Sequence, residues 1–532
     1  MTLELLVENA RIVDGTGAPW FRGAVGITDG EISHVSRATD HGLDAETRID
    51  ADGSVVAPGF IDAHSHSDLE LFSDPALAPK TRQGITTEIL GQDGFSMAPL
   101  YREDGVEPYQ EYLSGLAGRL EREWSWNSMS DYLDAIDDAG IAPNVATLVG
   151  HGTARYEVLG MEDVEPDDDE LEAMADLIAE GLADGAIGFS TGLVYTPQVY
   201  SETAEVSRLA AELAPYGRPF VAHIRSEGRW IWEALDEFFD IGADHEIPLH
   251  ISHFKLTGAA QHGKTDRLLA LVETARERGI DVTADQYPYT AGSSMLTALL
   301  PPWAQSADAG EMRETLADPA RREEIRRDIE EWRIDGWQNV AGKTGWDRIH
   351  ATNLTSEEFR DEGGDAIAAI AAERGIEPVD ALCEVLLAED LEASMIAHGL
   401  VESDVRAILR SDRVAVGSDG LFGARPHPRV YGTFPRVLGR YVREEDVLSL
   451  EEAVRKMTSL PARAMGLDSK GVLRPGLDAD LVVFDPAVVA DRATFDDPER
   501  HPIGVEHVIV DGTPIVSDGE DTGARPGRAI RA

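Results

Sequence analysis

Eight apolar, β-prone runs alternate with segments of helical periodicity between about residues 55 and 420, and this alternation most limits the fold. The runs are VVAPGFIDAH, TTEIL, NVATLVG, GAIGFST, PFVAHIR, IPLHISH, DVTADQYPY and VAVGSDG. Between them, stretches such as DELEAMADLIAEGLADG and DRLLALVETARERG carry apolar residues at the spacing of a helix face. Eight alternations in a segment of this length predict an α/β fold, a (β/α)8 barrel rather than an open doubly wound sheet. No glycine-rich phosphate loop follows the first strand.

The two ends of the chain read differently. LLVENARIVDGTG, GAVGITDGEISHVS and ETRIDADGSVVAPG are short β-rich runs broken by turn signals at Asp29-Gly30 and Asp52-Gly53. ADLVVFDP and VEHVIVDGTPIV repeat the style near the C-terminus. Residues 1–57 and 466–532 are therefore expected to pair into one small β-domain beside a barrel spanning 58–465. A charged, Trp-dotted stretch at about 300–350 reads as an insertion over the barrel mouth, with Trp303, Trp337 and Trp346 as possible walls of a pocket.

Composition narrows the partners. The chain has 532 residues, with 98 Asp and Glu against 47 Lys and Arg and a formal net charge of -51. Nucleic acid is excluded as a natural partner. The acids are dispersed in runs such as EDVEPDDDE, an acidic surface that suits high salt and suggests a halophilic protein. The single cysteine, Cys383, rules out an intramolecular disulfide and points to a reducing compartment, the cytoplasm. Neither an export leader nor a spanning helix is legible, so no membrane association is expected.

In a barrel of this kind, chemistry gathers where strands end. His64 and His66 close the first run in GFIDAHSHSD, Asp93 follows the second in GQDG, His223 lies in the fifth, His253 ends the sixth and Asp419 ends the eighth. Alternation lets His64 and His66 face one cation together. Imidazole and carboxylate donors suit zinc first, with manganese, cobalt or iron also compatible. A carboxylate beside an open metal position can take a proton from water and return it to a leaving group, and Asp419 is placed for that role.

These motifs resemble the N-acyl-D-amino-acid deacylase (D-aminoacylase) family of the amidohydrolase superfamily. The resemblance covers nearly the full length, through GFIDAHSHSD, QGITTEILGQDGFSMAP, NVATLVGHGTAR, GAIGFSTGLVYTP, VAHIRSEG, ISHFK, ADQYPYTA, VGSDG and HPRVYGTFPRVLGRYVRE. It implies a barrel with a small β-domain, one or two zinc ions, and hydrolysis of an N-acyl-D-amino acid to a carboxylate and a free D-amino acid. By motif, His223 and His253 would hold the tighter zinc, and His64, His66 and Asp419 would line a second position. The best-known members carry a cysteine where this chain has Asp93, whose oxygens can ligate or bridge in place of sulfur. Arg429 in HPRVYG matches the family's receptor for the substrate carboxylate. Lys255, two residues past His253, and Tyr287 in QYPY are further candidates.

Three other readings stay open. A cyclic amidase of the hydantoinase or dihydropyrimidinase kind would want a carboxylated lysine on the fourth strand, and GAIGFSTG has none. A barrel that had lost catalysis would be expected to lack several of these strand-end donors. An amidohydrolase acting on a different linear amide is the nearer rival.

Overall fold

The computed structural model describes residues 2–38, 41–102, 104–120, 122–305 and 309–532. Residues 1, 39 and 40 of the N-terminal span and 306–308 of the expected insertion lie outside the described residues. The chain begins with β1 (Leu3–Ile12), β2 (Phe21–Thr28), β3 (Glu31–Ser36), β4 (Ala45–Asp50) and β5 (Val55–Pro58). β1, β2 and β3 form an antiparallel meander, while β4 and β5 run parallel to β1. The Asp29-Gly30 hairpin turn has φ of +53° and +74°, the left-handed pair such a turn demands.

The first apolar run serves two sheets. Its start is β5, and its end is β6 (Phe60–Asp62), which pairs with β7 (Ile85–Leu90). Gly59 is the joint: a Cβ there would lie 2.2 Å from Thr86 Oγ1. β8 (Asn144–Thr147), its continuation β9 (Val149–Gly150), β10 (Phe189–Gly192), β11 (Phe220–His223), β12 (Leu249–Ile251) and β13 (Val282–Gln286) extend the parallel array.

Helices cover the outside of the array. The DELEAMADLIAEGLADG segment forms a helix over Asp168–Ala183, started by a capping box between Asp167 and Glu170, and buries Met174, Ile178 and Leu182 on one face.

After β13 the chain leaves the barrel. β14 (Gly292–Met295), β15 (Ile349–Thr352) and β16 (Ser394–Ala397) make an antiparallel sheet in the order β14-β16-β15. Helices over Pro319–Glu331 and Pro378–Ala388 pack a separate core that includes Ile325, Leu382 and Cys383. This unit is wider than the 300–350 stretch expected from sequence. Its bounding strands are four residues each and bear no periodic signature, so only the charged middle stood out.

β17 (Val414–Val416) pairs with β13 and completes eight parallel staves, counting β8 and β9 as one. The barrel closes where Asp419 N donates to His64 O at 2.8 Å and Ser65 bridges Gly420. β18 (Leu481–Phe484), β19 (Val505–Val510), β20 (Thr513–Ser517) and β21 (Glu520–Asp521) then return to the first sheet, β18 beside β5, giving nine strands drawn from both ends of the chain.

Candidate metal centre

The C-terminal ends of the barrel strands bring all six expected donors together, each at most 5 % exposed. Backbone strain helps to aim three of them. Asp93 (φ +57°), His253 (+35°) and Asp419 (+49°) adopt left-handed conformations. Neighbours hold them there: His253 N donates to Asp285 Oδ1 at 2.9 Å, and Asp419 N to His64 O. Beneath the site, Lys80 Nζ donates to Asp62, Ser65 and Ser418 at 2.8 Å each, bracing the first and eighth strands against one another.

Asp93 is the centre of the cluster. Its Oδ1 lies 3.6 Å from both His64 Nε2 and His253 Nε2, and its Oδ2 lies 3.7 Å from both His66 Nε2 and His223 Nδ1. Asp419 Oδ1 stands 3.3 Å from His66 Nε2 and 3.7 Å from His64 Nε2. Two donors sharing a tetrahedral cation at bond lengths of about 2.1 Å stand roughly 3.4 Å apart. The spacings match that arrangement better than direct hydrogen bonds. Among the described residues, buried His223 Nδ1 and Nε2 and Asp93 Oδ1 also make no hydrogen bond. The residues present therefore fit a divalent metal, with Asp93 oxygens facing histidines on both sides.

The charges are arranged to keep these acids ionised. Burial pushes Asp93 up, but the nearby imidazoles of His64, His223 and His253 outweigh it and hold the carboxyl well below its usual range. Burial likewise raises Asp419, and Arg429, His66 and His64 overcome it. Burial and Lys255 lower His253, whereas Glu227 and Asp93 pull it up to about 10.

Two supporting carboxylates were not foreseen as site residues. Glu227 Oε1 is 2.9 Å from His253 Nδ1 and is also bonded to Lys255 Nζ. With Nδ1 donating to Glu227, a neutral His253 would turn its Nε2 lone pair toward a bound cation. Asp285 sits 3.1 Å from His250 Nε2 and 3.6 Å from His64 Nδ1. Both acids lie within runs already singled out, VAHIRSEG and ADQYPYTA, but neither falls at a strand end.

A cavity opens from the donors toward the inserted unit. Lys255 and Tyr287 line it, and among the described residues the Tyr287 hydroxyl makes no hydrogen bond. Arg429 is the exception. It is fully buried and does not line the cavity: Nη1 is 2.8 Å from Asp419 Oδ2 and Nη2 donates to Ser293 O. A buried acid needs a counter-charge, and that need turns the guanidinium away from the cavity. Trp337 is part of the wall, whereas Trp303 bonds to Asp328 and Trp346 packs within the inserted unit. Lys343 and Glu227 also reach the cavity.

Comparison with known proteins agrees with this geometry. The amidohydrolase family model matches residues 47–516. A D-aminoacylase of Alcaligenes xylosoxydans xylosoxydans is 37% identical, covering 99% of this chain and 97% of its own. An N-acyl-D-glutamate deacylase from the same organism is 36% identical over 99% and 96%. The crystal structure of N-acyl-D-glutamate deacylase from Bordetella bronchiseptica, in complex with zinc and a phosphonate mimic of the tetrahedral intermediate, superposes with a TM-score of 0.83 at 34% identity, covering both chains completely. The chain belongs to the amidohydrolase family, within its group of N-acyl-D-amino-acid deacylases.

Proposed function

We propose that this protein is a zinc-dependent deacylase that hydrolyses N-acyl-D-amino acids to a carboxylate and a free D-amino acid. The reading is carried by the six-donor cluster centred on Asp93 and opening on a cavity lined by Lys255 and Tyr287. His64, His66, Asp93, His223, His253 and Asp419 would hold one or two zinc ions. Bound zinc supplies Lewis acidity toward the acyl carbonyl and activates water. Zinc also fits the bound state of the Bordetella relative.

Asp419 accepts the proton of the attacking water and delivers it to the departing amino nitrogen. Arg429 holds Asp419 ionised and aimed at His66. Lys255 and the free Tyr287 hydroxyl face the substrate carboxylate, while Glu227 fixes the tautomer of His253 and orients Lys255. Anchoring the carbonyl at the metal end, the carboxylate on these donors and the side chain against the inserted unit gives the three points that chirality requires.

In this reading residues 58–465 are the catalytic barrel, and 1–57 with 466–532 are its small β-domain. The acidic surface is a high-salt adaptation, and the cytoplasm is the compartment that suits a lone, buried Cys383.

Amine release from paired N-acetyl-D- and N-acetyl-L-amino acids, with zinc-loaded protein in molar salt, tests the assignment. A signal from the D-series alone is expected. Silence on every pair, with zinc shown to be bound, overturns it.

A further inference from the structure

The strongest cations at the reaction end are already engaged by protein carboxylates, Lys255 by Glu227 and Arg429 by Asp419. Lys343 is different. It lies in the short helix Val340–Thr344 of the inserted unit, lines the cavity, and is half-buried. Its Nζ is 2.8 Å from Thr257 Oγ1, and among the described residues no ion pair reaches it. Thr257 spends its hydroxyl proton on Glu227 O at 3.0 Å, so toward Lys343 it can only accept. The ammonium thus keeps two N–H donors and an unbalanced charge. Desolvation pushes it down to about 8, and the attraction of more distant Glu227 does not restore it.

The approach of this side chain to the cavity is built into the backbone. A Cβ at Gly228 would lie 3.2 Å from Lys343 Cδ, and one at Gly258 (φ +84°) 3.3 Å from Lys343 Cβ. Two residues without side chains therefore leave the trough along which the lysine stem runs.

We propose that Lys343 is a carboxylate-binding residue of the cavity, delivered by the inserted unit to hold one carboxylate of the substrate. The inference rests on the deacylase reading. An N-acyl amino acid offers two sources of that group, the α-carboxylate and, in acidic amino acids, the side chain. An ammonium with open donors recognises either one by a charge-assisted hydrogen bond.

The test measures kcat and KM of the zinc-loaded wild type, Lys343→Met and Lys343→Arg on N-acetyl-D-methionine, N-acetyl-D-glutamate and N-acetyl-D-glutamine. We expect kcat/KM to fall by about 10- to 100-fold in Lys343→Met, mainly through KM, and to recover in Lys343→Arg. Equal losses on all three substrates assign the α-carboxylate; a loss concentrated on glutamate assigns the side chain. Unchanged KM throughout, or a loss that arginine does not recover, overturns the proposal. If no D-substrate turns over at all, the deacylase reading has failed. Lys343 is then judged by the thermal stabilisation that succinate gives the wild type and Lys343→Met, and equal stabilisation overturns its assignment.

Discussion

Arg429 Nη1 lies 2.8 Å from Asp419 Oδ2, with the arginine wholly buried and the acid nearly so. The guanidinium thus serves the acid that touches His66, from behind the cavity wall. Arg429→Met would leave Asp419 buried without its counter-charge, which is expected to cost about 3–5 kcal/mol of stability. Urea midpoints of the two proteins in molar salt measure it. A change under 1 kcal/mol would mean that the pair contributes little.

Asp93 faces four histidines, so its charge matters more than its shape. Asp93→Asn keeps the volume and removes the anion, and zinc affinity in chelator competition is expected to fall by at least about 100-fold. Asp93→Cys supplies an anionic sulfur in the same place and is expected to retain zinc. Equal zinc content in wild type and Asp93→Asn would remove Asp93 from the metal centre.

Glu227 would act on a bound metal through His253. Glu227→Gln can no longer accept the Nδ1 proton in both amide orientations, and zinc affinity is expected to weaken about 10- to 100-fold. Glu227→Asp should recover part of it. Chelator competition reads the effect independently of turnover, and an unaltered affinity in Glu227→Gln would confine Glu227 to holding Lys255.

His398 lies between His350, which it meets edge-on, and Phe495, to which it is tilted; it is half-buried, with ring centroids 4.9 Å from each. Burial, then His350 and Arg348, push it from 6.5 down to about 4. Between those values the unfolded chain binds more protons than the folded one, so this contribution is present above pH 6.5 and lost as pH falls toward 4. His398→Gln should therefore lose less stability than the wild type between pH 7.5 and pH 4.5. Equal losses in denaturant titrations at the two pH values would exclude His398 as a source of the acid sensitivity.

Much of the fold was legible because barrel strands are buried on both faces and announce themselves as apolar runs. Candidate donors at the ends of those runs, from His64 to Asp419, could be named by position alone. The bounds of the inserted unit could not, since β14 and β16 are too short to show a period. Nor could Glu227 and Asp285, which are ordinary acids in sequence and become supports only when another strand presents an imidazole to them.

The sequence by itself determined the eight-stave barrel and the pairing of both ends into one sheet, and it named the candidate donors. All three rest on local pattern and residue type. Tertiary structure alone decided which acid serves which base: that Arg429 turns to Asp419, that Glu227 shares His253 with Lys255, and that Lys343 enters the cavity with no carboxylate among the described residues paired to it. The physical reason is that ion pairing depends on distance and burial in space. Residues that are not neighbours in sequence acquire both only when the barrel closes and the inserted unit packs over its mouth.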